Sequence, residues 1–137
     1  LRLLACSTQI EQTIRGQLRT RFATTLPRFD YLAQLDRHPQ GLRMSALSSH
    51  LMVTGGNVTG LTDQLVGEGV VERVDDPQDR RAMIVRMTPQ GRAWFAQMAD
   101  EHEQWIVQIF SGLAAKDMAQ LHQLLGKLRQ GMAQPGQ

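Results

Sequence analysis

The chain has little of what most protein chemistry requires. It carries one cysteine, Cys6, in 137 residues, so no disulfide can close within it. A single thiol fits a reducing compartment, and a cytoplasmic location is the expectation. No apolar run approaches the roughly 18 residues of a membrane-spanning helix, and no short apolar stretch ends in a small-residue cleavage site. The histidines, His38, His50, His102 and His122, are scattered and share no metal-ligand spacing with the cysteine. Neither a phosphate-cradling glycine loop nor a nucleophile–base pair is present. These absences argue against an enzyme, and no cofactor or metal is expected. The chain opens on Leu1 rather than Met, so further residues are expected upstream.

Lysine is also scarce. Lys116 and Lys127 stand against thirteen arginines, twelve of them at or before Arg92, within a net charge of only +2. Arg is the cation suited to bidentate and phosphate contacts. Its concentration in the first two-thirds suggests an anionic partner there, or else solvated helix faces rich in Arg.

What is present is periodic. Apolar residues make up 42% of the chain, enough for a packed core. Cys6, Ile10, Ile14, Leu18 and Phe22 recur every four residues and predict a helix over 2–22. Thr24 or Thr25 can cap a second helix with Pro27 in its first turn and Phe29, Leu32 and Leu35 inside. His38-Pro39-Gln40-Gly41 ends it. Met44, Leu47 and Leu51 share a face of a short third helix. After the turn signal Val53-Thr54-Gly55-Gly56 comes a fourth, with Val58, Leu61 and Leu65 buried and Gly67 and Gly69 as its stop. The period then shortens. Val70–Val74 and Met83–Met87 predict two strands around a charged turn over 75–80. Thr88-Pro89 starts a long helix with Phe95, Met98, His102, Trp105 and Ile109 as a seam for a partner helix. Met118, Leu121, Leu125, Leu128 and Met132 repeat that spacing in a last helix.

The expected fold is mainly α with a small β-hairpin (α+β), a winged helix-turn-helix with terminal dimerisation helices. Residues 25–90 form the DNA-binding lobe. Residues 1–24 and 91–137 form the helical dimerisation region of one subunit. The end helices are too apolar on one side to stand alone, and a homodimer would cover them; packing on their own subunit is the other solution.

In such a fold the second helix of the pair enters the major groove. Its first turn would present Thr54, Gly55, Gly56, Asn57 and Thr59. Asn57 suits adenine, or simply caps the helix. Thr54 and Thr59 suit a phosphate or a thymine methyl. The hairpin tip carries Arg80 and Arg81, with Arg73 and Arg86 on the strands. An Arg there can enter the narrow minor groove. Carboxylates facing DNA would repel it, so Asp79 is assigned as a brace pairing with an Arg, and Arg81 as the probe. A winged helix that binds protein rather than DNA is the rival, and the arginines argue against it.

The run Asp75–Gly91 (DDPQDRRAMIVRMTPQG), with Val58–Leu65 and Gly69–Arg73 before it, resembles the MarR family of regulators. The wing pattern Asp-x-Arg, an apolar strand, then Thr-x-x-Gly falls on Asp79, Arg81, Thr88 and Gly91. The resemblance implies a homodimer on a palindromic operator, usually a repressor, released by a small ligand seated between the dimerisation helices and the DNA-binding lobe. Gly55-Gly56 departs from the family, where side chains that touch DNA are common at that point.

Candidate effector contacts are Arg15, Arg19, Arg28, Phe29, Tyr31, Trp94, Met98 and His102, with Leu32 and Trp105 as further walls. The cations suit a carboxylate or phosphates. The same aromatic residues could be plain packing, and His102 a core or interface histidine. Residues 3–8, 24–30 and 52–60 look similar to members governing hydroxycinnamate breakdown, which implies an aromatic acid or its acyl-CoA thioester as effector. The alternative is oxidant sensing through Cys6, as in relatives with a cysteine near the start of the first helix. That chemistry needs a polarised thiolate. Cys6 lies on the apolar stripe and reads as a buried structural thiol.

Overall fold

The computed structural model describes residues 1–51 and 57–133. The order of elements is α1 (Arg2–Phe22), α2 (Leu26–Asp36), β1 (Leu42–Arg43), α3 (Met44–His50), α4 (Val58–Gly67), β2 (Val71–Asp76), β3 (Asp79–Met87), α5 (Pro89–Ile109) and α6 (Ala115–Ala133). This is the expected helix-rich winged helix-turn-helix. The chain divides by its internal contacts into one compact unit up to Glu103 and a second from Gln104 onward.

The first unit holds the core. Leu18, Tyr31, Leu32, Leu35, Leu47, Leu65, Val71, Val85 and Met98 are almost wholly shielded from water. The predicted inner faces of α2, α3 and α4 supply Leu32, Leu35, Leu47 and Leu65. The Thr25 side chain caps α2 at the Arg28 N–H, and Pro27 sits in the first turn, where its missing donor costs nothing. The seam of α5 is not free in this region. Phe95 and Met98 are buried, and Phe95 lies 5.5 Å from Phe29 between ring centroids. That part of the seam is used inside the subunit rather than kept for a partner helix.

The sheet has three antiparallel strands in the order β1-β3-β2, where the periodicity predicts two. Two residues carry too little pattern to signal a strand. Leu42 and Arg43 pair with Val85 and Ile84 because Gly41, at φ 99°, turns the chain flat against β3. A side chain at 41 would strike Ile84 and the Val85 carbonyl.

The Thr-x-x-Gly pattern has a structural meaning. The Thr88 hydroxyl donates to the Gly69 carbonyl at 2.6 Å and accepts from the Gly91 N–H at 3.0 Å. Its own N–H donates to the Val70 carbonyl at 3.1 Å. One residue thus caps α5 and fastens it to the entry of β2.

In the second unit α6 has no buried residue. Of its predicted seam, Met118, Leu125, Leu128 and Met132 are exposed and Leu121 is half-buried. Leu1, Leu3 and Leu4 at the start of α1 are exposed as well. So is Cys6, which corrects its reading as a buried thiol: the apolar stripe of α1 is covered only from Ile14 and Leu18 onward. Among the described residues no helix is long and apolar enough to cross a membrane.

Candidate functional site

The reading helix begins later than the turn signal suggests. Asn57 is the N-cap of α4, and its side-chain oxygen accepts from the Gly60 N–H. Of the two roles that the sequence leaves open for Asn57, this geometry shows the cap. Thr59 is exposed in the first turn of α4. Thr54, Gly55 and Gly56 lie outside the described residues. Thr62, on the inner face, accepts or donates at 2.7 Å with the Tyr31 hydroxyl and donates to the Val58 carbonyl at 2.7 Å. Burial pushes the Tyr31 hydroxyl up to about 12. Tyr31 is wholly enclosed, so it pins α2 to α4 and is not a ligand contact, contrary to the sequence-based expectation.

The wing is tighter than its sequence suggests. β2 and β3 continue to Asp76 and Asp79, and only Pro77 and Gln78 turn. The register jumps from Asp75↔Met83 to Asp76↔Asp79, so Arg80, Arg81 and Ala82 form a bulge on β3. The arginines are therefore bulge residues just behind the tip rather than the tip itself. Both are exposed, and neither has an ion-pair partner among the described residues. Arg73 and Arg86 differ. Arg73 pairs with Asp63 of α4, and Arg86 with Glu72 across the ladder at 2.7 Å. Each of these cations already faces a carboxylate, one on α4 and one across the ladder.

The brace is also reassigned. Asp79 accepts from the Arg81 N–H at 2.9 Å and touches no guanidinium, so it shapes the bulge through the backbone. The carboxylate that pairs with an Arg is Asp76. It accepts from Arg43 Nε at 2.8 Å and Nη2 at 2.6 Å, and from the Gln78 N–H at 2.9 Å. Hydrogen bonding from the Gln78 amide, then from Arg43, holds its carboxyl below the ordinary value of 3.8. Arg43 is the N-cap residue of α3, so this pair ties the wing to the start of the helix-turn-helix. Sequence reasoning missed it because its members stand 33 residues apart. The Asp76-Pro77-Gln78 turn, where Asp bonds the backbone two residues on, was the available signal.

A cleft of about 440 Å³ lies within the first unit, lined by Phe22, Ala23, Arg28, Glu68, Val70, Gln90, Trp94 and Gln97. Of the eight expected effector contacts, only Arg28 and Trp94 line it. Arg15 pairs with Glu11 at 2.7 Å along α1, and Arg19 is exposed on the same helix. Phe29 is buried and stacks with His102 at 4.8 Å, and Met98 is fully enclosed, so these three are packing residues. Burial holds His102 below its ordinary value of 6.5. Phe22, Glu68, Gln90 and Gln97 were not singled out because they share no period and meet only through the packing of α1, α4 and α5. Arg28 pairs with Glu68, and its buried Nε has no partner.

A helix-turn-helix followed by a braced hairpin is the winged-helix architecture. Residues 24–83 match the model of the MarR family. An uncharacterised helix-turn-helix transcriptional regulator of Bacillus subtilis, YkoM, is 34% identical over 91 residues, which is 66% of this chain and 58% of that protein. A MarR family transcriptional regulator from Silicibacter pomeroyi superposes with a TM-score of 0.82 at 27% identity, covering 96% of this chain and 90% of the other. A mutant MarR from E. coli, solved with operator DNA, has the same fold, with a TM-score of 0.80 at 24% identity over 92% and 89% of the two chains. Over residues 24–83 the chain thus resembles the MarR family of transcriptional regulators, and its fold is that of solved members of that family.

Proposed function

We propose that the chain is a DNA-binding transcriptional regulator that acts as a homodimer on a palindromic operator, represses, and is released by a small aromatic acid. Residues 25–90 are its DNA-binding lobe, and 1–24 with 91–137 its dimerisation region. The observation that carries DNA binding is the wing bulge. Arg80 and Arg81 are exposed without a carboxylate partner among the described residues, while Arg73 and Arg86 are held by Asp63 and Glu72. Cations left unspent on a hairpin beside a reading helix suit phosphates and the minor groove. Thr59 faces the major groove in this reading, with Thr54, Gly55 and Gly56 ahead of it. The exposed stripes of α6 and the start of α1 supply the dimer surface.

The effector seat is the cleft with Arg28 and Trp94. Its volume of about 440 Å³ suits a free aromatic acid such as a hydroxycinnamate. An acyl-CoA thioester is several times larger and would leave its nucleotide outside. Oxidant sensing is a second reading, favoured by the exposure of Cys6. Tyr31, sealed in the core on Thr62, cannot assist that thiol. Peroxide should leave DNA binding unchanged; a loss that Cys6→Ser abolishes would establish the thiol reading instead.

The test of DNA binding uses a duplex from the region upstream of the chain's own gene. Affinity should fall steeply with salt. Arg81→Ala should reduce the slope of log K against log salt by about two, one phosphate contact per subunit of a dimer. If Arg80→Ala and Arg81→Ala both leave affinity and slope unchanged, the wing does not read DNA.

A further inference from the structure

The cleft already contains an anion. Glu68 forms part of its wall and pairs with Arg28, whose side chain is 14% exposed against 46% for Glu68. The guanidinium has five donors in a fixed fork. One of them, Nε, is buried and makes no bond. The cation is therefore occupied but not saturated: Glu68 holds Nη2 alone, and a planar carboxylate in its place could bond Nη2 and Nε together. Trp94 supplies an aromatic wall, and Gln90 and Gln97 supply amides for ring substituents.

The position of Glu68 gives this pair a consequence. Glu68 is the C-cap of α4, and its N–H bonds the Gln64 and Val66 carbonyls. Gly69 follows at φ 74°, and the chain then enters β2 through Val70. The reading helix thus passes to the wing at Glu68. Arg28, in the first turn of α2, holds that junction from outside.

We infer that Glu68 is an internal competitor for the effector: an aromatic carboxylate seated in the cleft takes Arg28 over, and Glu68 is released from it. This rests on the reading of the chain as an effector-responsive DNA-binding regulator. Two carboxylates facing one guanidinium in a partly enclosed cleft repel each other. The ligand therefore binds more weakly than the cleft alone would allow, and the difference biases the end of α4 and the entry to β2. The inference also sets the ligand class. A neutral aromatic of the same shape has no claim on Arg28 and fills the cleft without releasing Glu68.

The experiment uses p-coumarate and its neutral amide with the full chain, Glu68→Gln and Arg28→Gln. Calorimetry reads ligand affinity, and fluorescence anisotropy reads binding to the upstream duplex with and without ligand. Glu68→Gln should bind p-coumarate about tenfold more tightly yet release less DNA when it is bound, because coupling requires the competitor. Arg28→Gln should lose p-coumarate binding while keeping its thermal transition. The amide should bind the parent and Glu68→Gln alike and release DNA from neither. Tighter binding with weaker release separates competition from a merely structural ion pair. If the parent binds p-coumarate and Glu68→Gln binds it no more tightly, or releases DNA as fully, the competitor role is wrong and the effector reading stands. If the amide releases DNA from the parent as well as p-coumarate does, the role is equally wrong, whatever the variants do. If neither parent nor Glu68→Gln binds p-coumarate, the effector reading and the competitor fall together.

Discussion

Asp76 and Asp79 look equivalent in the sequence and are not equivalent in the fold. Each accepts from an N–H two residues on, Gln78 for one and Arg81 for the other. Only Asp76 is shielded and meets Arg43. Its folded carboxyl titrates below the unfolded value, so its contribution to stability is fully present above the ordinary carboxylate range. That contribution is lost as pH falls through the lowered folded value. The measurable consequence is a difference in urea unfolding between the parent and Asp76→Asn that is constant at neutral pH and shrinks as the pH falls below 3.8. A difference that does not change with acid would show that the charge of Asp76 contributes nothing. The same change should weaken DNA binding through a loosened wing, whereas Asp79→Asn, which keeps its side-chain acceptor for Arg81, should have less effect.

At the scale of elements, helices were legible and short or irregular pieces were not. α1, α2 and α4 follow from spacing and caps, because a stripe every three or four residues can only be covered in one way. β1 was invisible because two residues have no period. The wing bulge was read as a longer turn because Arg80 and Arg81 are polar and lie beside Pro77. Asp76, where the strands pair with Asp79, also meets Arg43, a contact 33 residues away that no local pattern encodes. The junction of α5 with β2 yields a sharp test. Gly91→Ala should gain about 1 kcal/mol of intrinsic helix propensity. It should lose more than that, because the new Cβ would overlap the Val70 carbonyl that Thr88 also holds. We expect a net destabilisation of about 2–4 kcal/mol by urea unfolding; a stabilised variant would mean that α5 can move off β2 freely.

At the scale of the whole molecule, exposed apolar surface is the dominant fact. Leu124, Leu125, Leu128 and Met132 along α6, and Leu3 and Leu4 on α1, all face water in the single chain. An exposed apolar stripe such as that of α6 is the kind of surface that marks an interaction. In the proposed homodimer Leu125 and Leu128 are covered. Leu125→Glu with Leu128→Glu should then convert the dimer to monomer by analytical ultracentrifugation. It should also weaken operator binding by orders of magnitude, because two half-sites no longer act together. Since α6 has no buried residue, the far-ultraviolet spectrum of the first unit should be preserved. A double variant that stays dimeric would place the interface elsewhere.

The sequence by itself determined the winged helix-turn-helix, the regions rich in arginine, the α6 stripe and the resemblance of the wing to the MarR family. Each is local: a period, a cap or a run of neighbours that any fold of this chain must respect. Only the tertiary structure decided which charges are spent. It paired Asp76 with Arg43, Arg73 with Asp63 and Arg28 with Glu68, partners 33, 10 and 40 residues apart. It left Arg80 and Arg81 without an ion-pair partner among the described residues. It also turned Tyr31, Phe29 and Met98 from expected ligand contacts into core, and kept Arg28 and Trp94 at a cleft. A side chain's charge is written in the sequence. Whether that charge is available depends on what packing brings within reach of it, and such contacts between distant residues leave no local pattern.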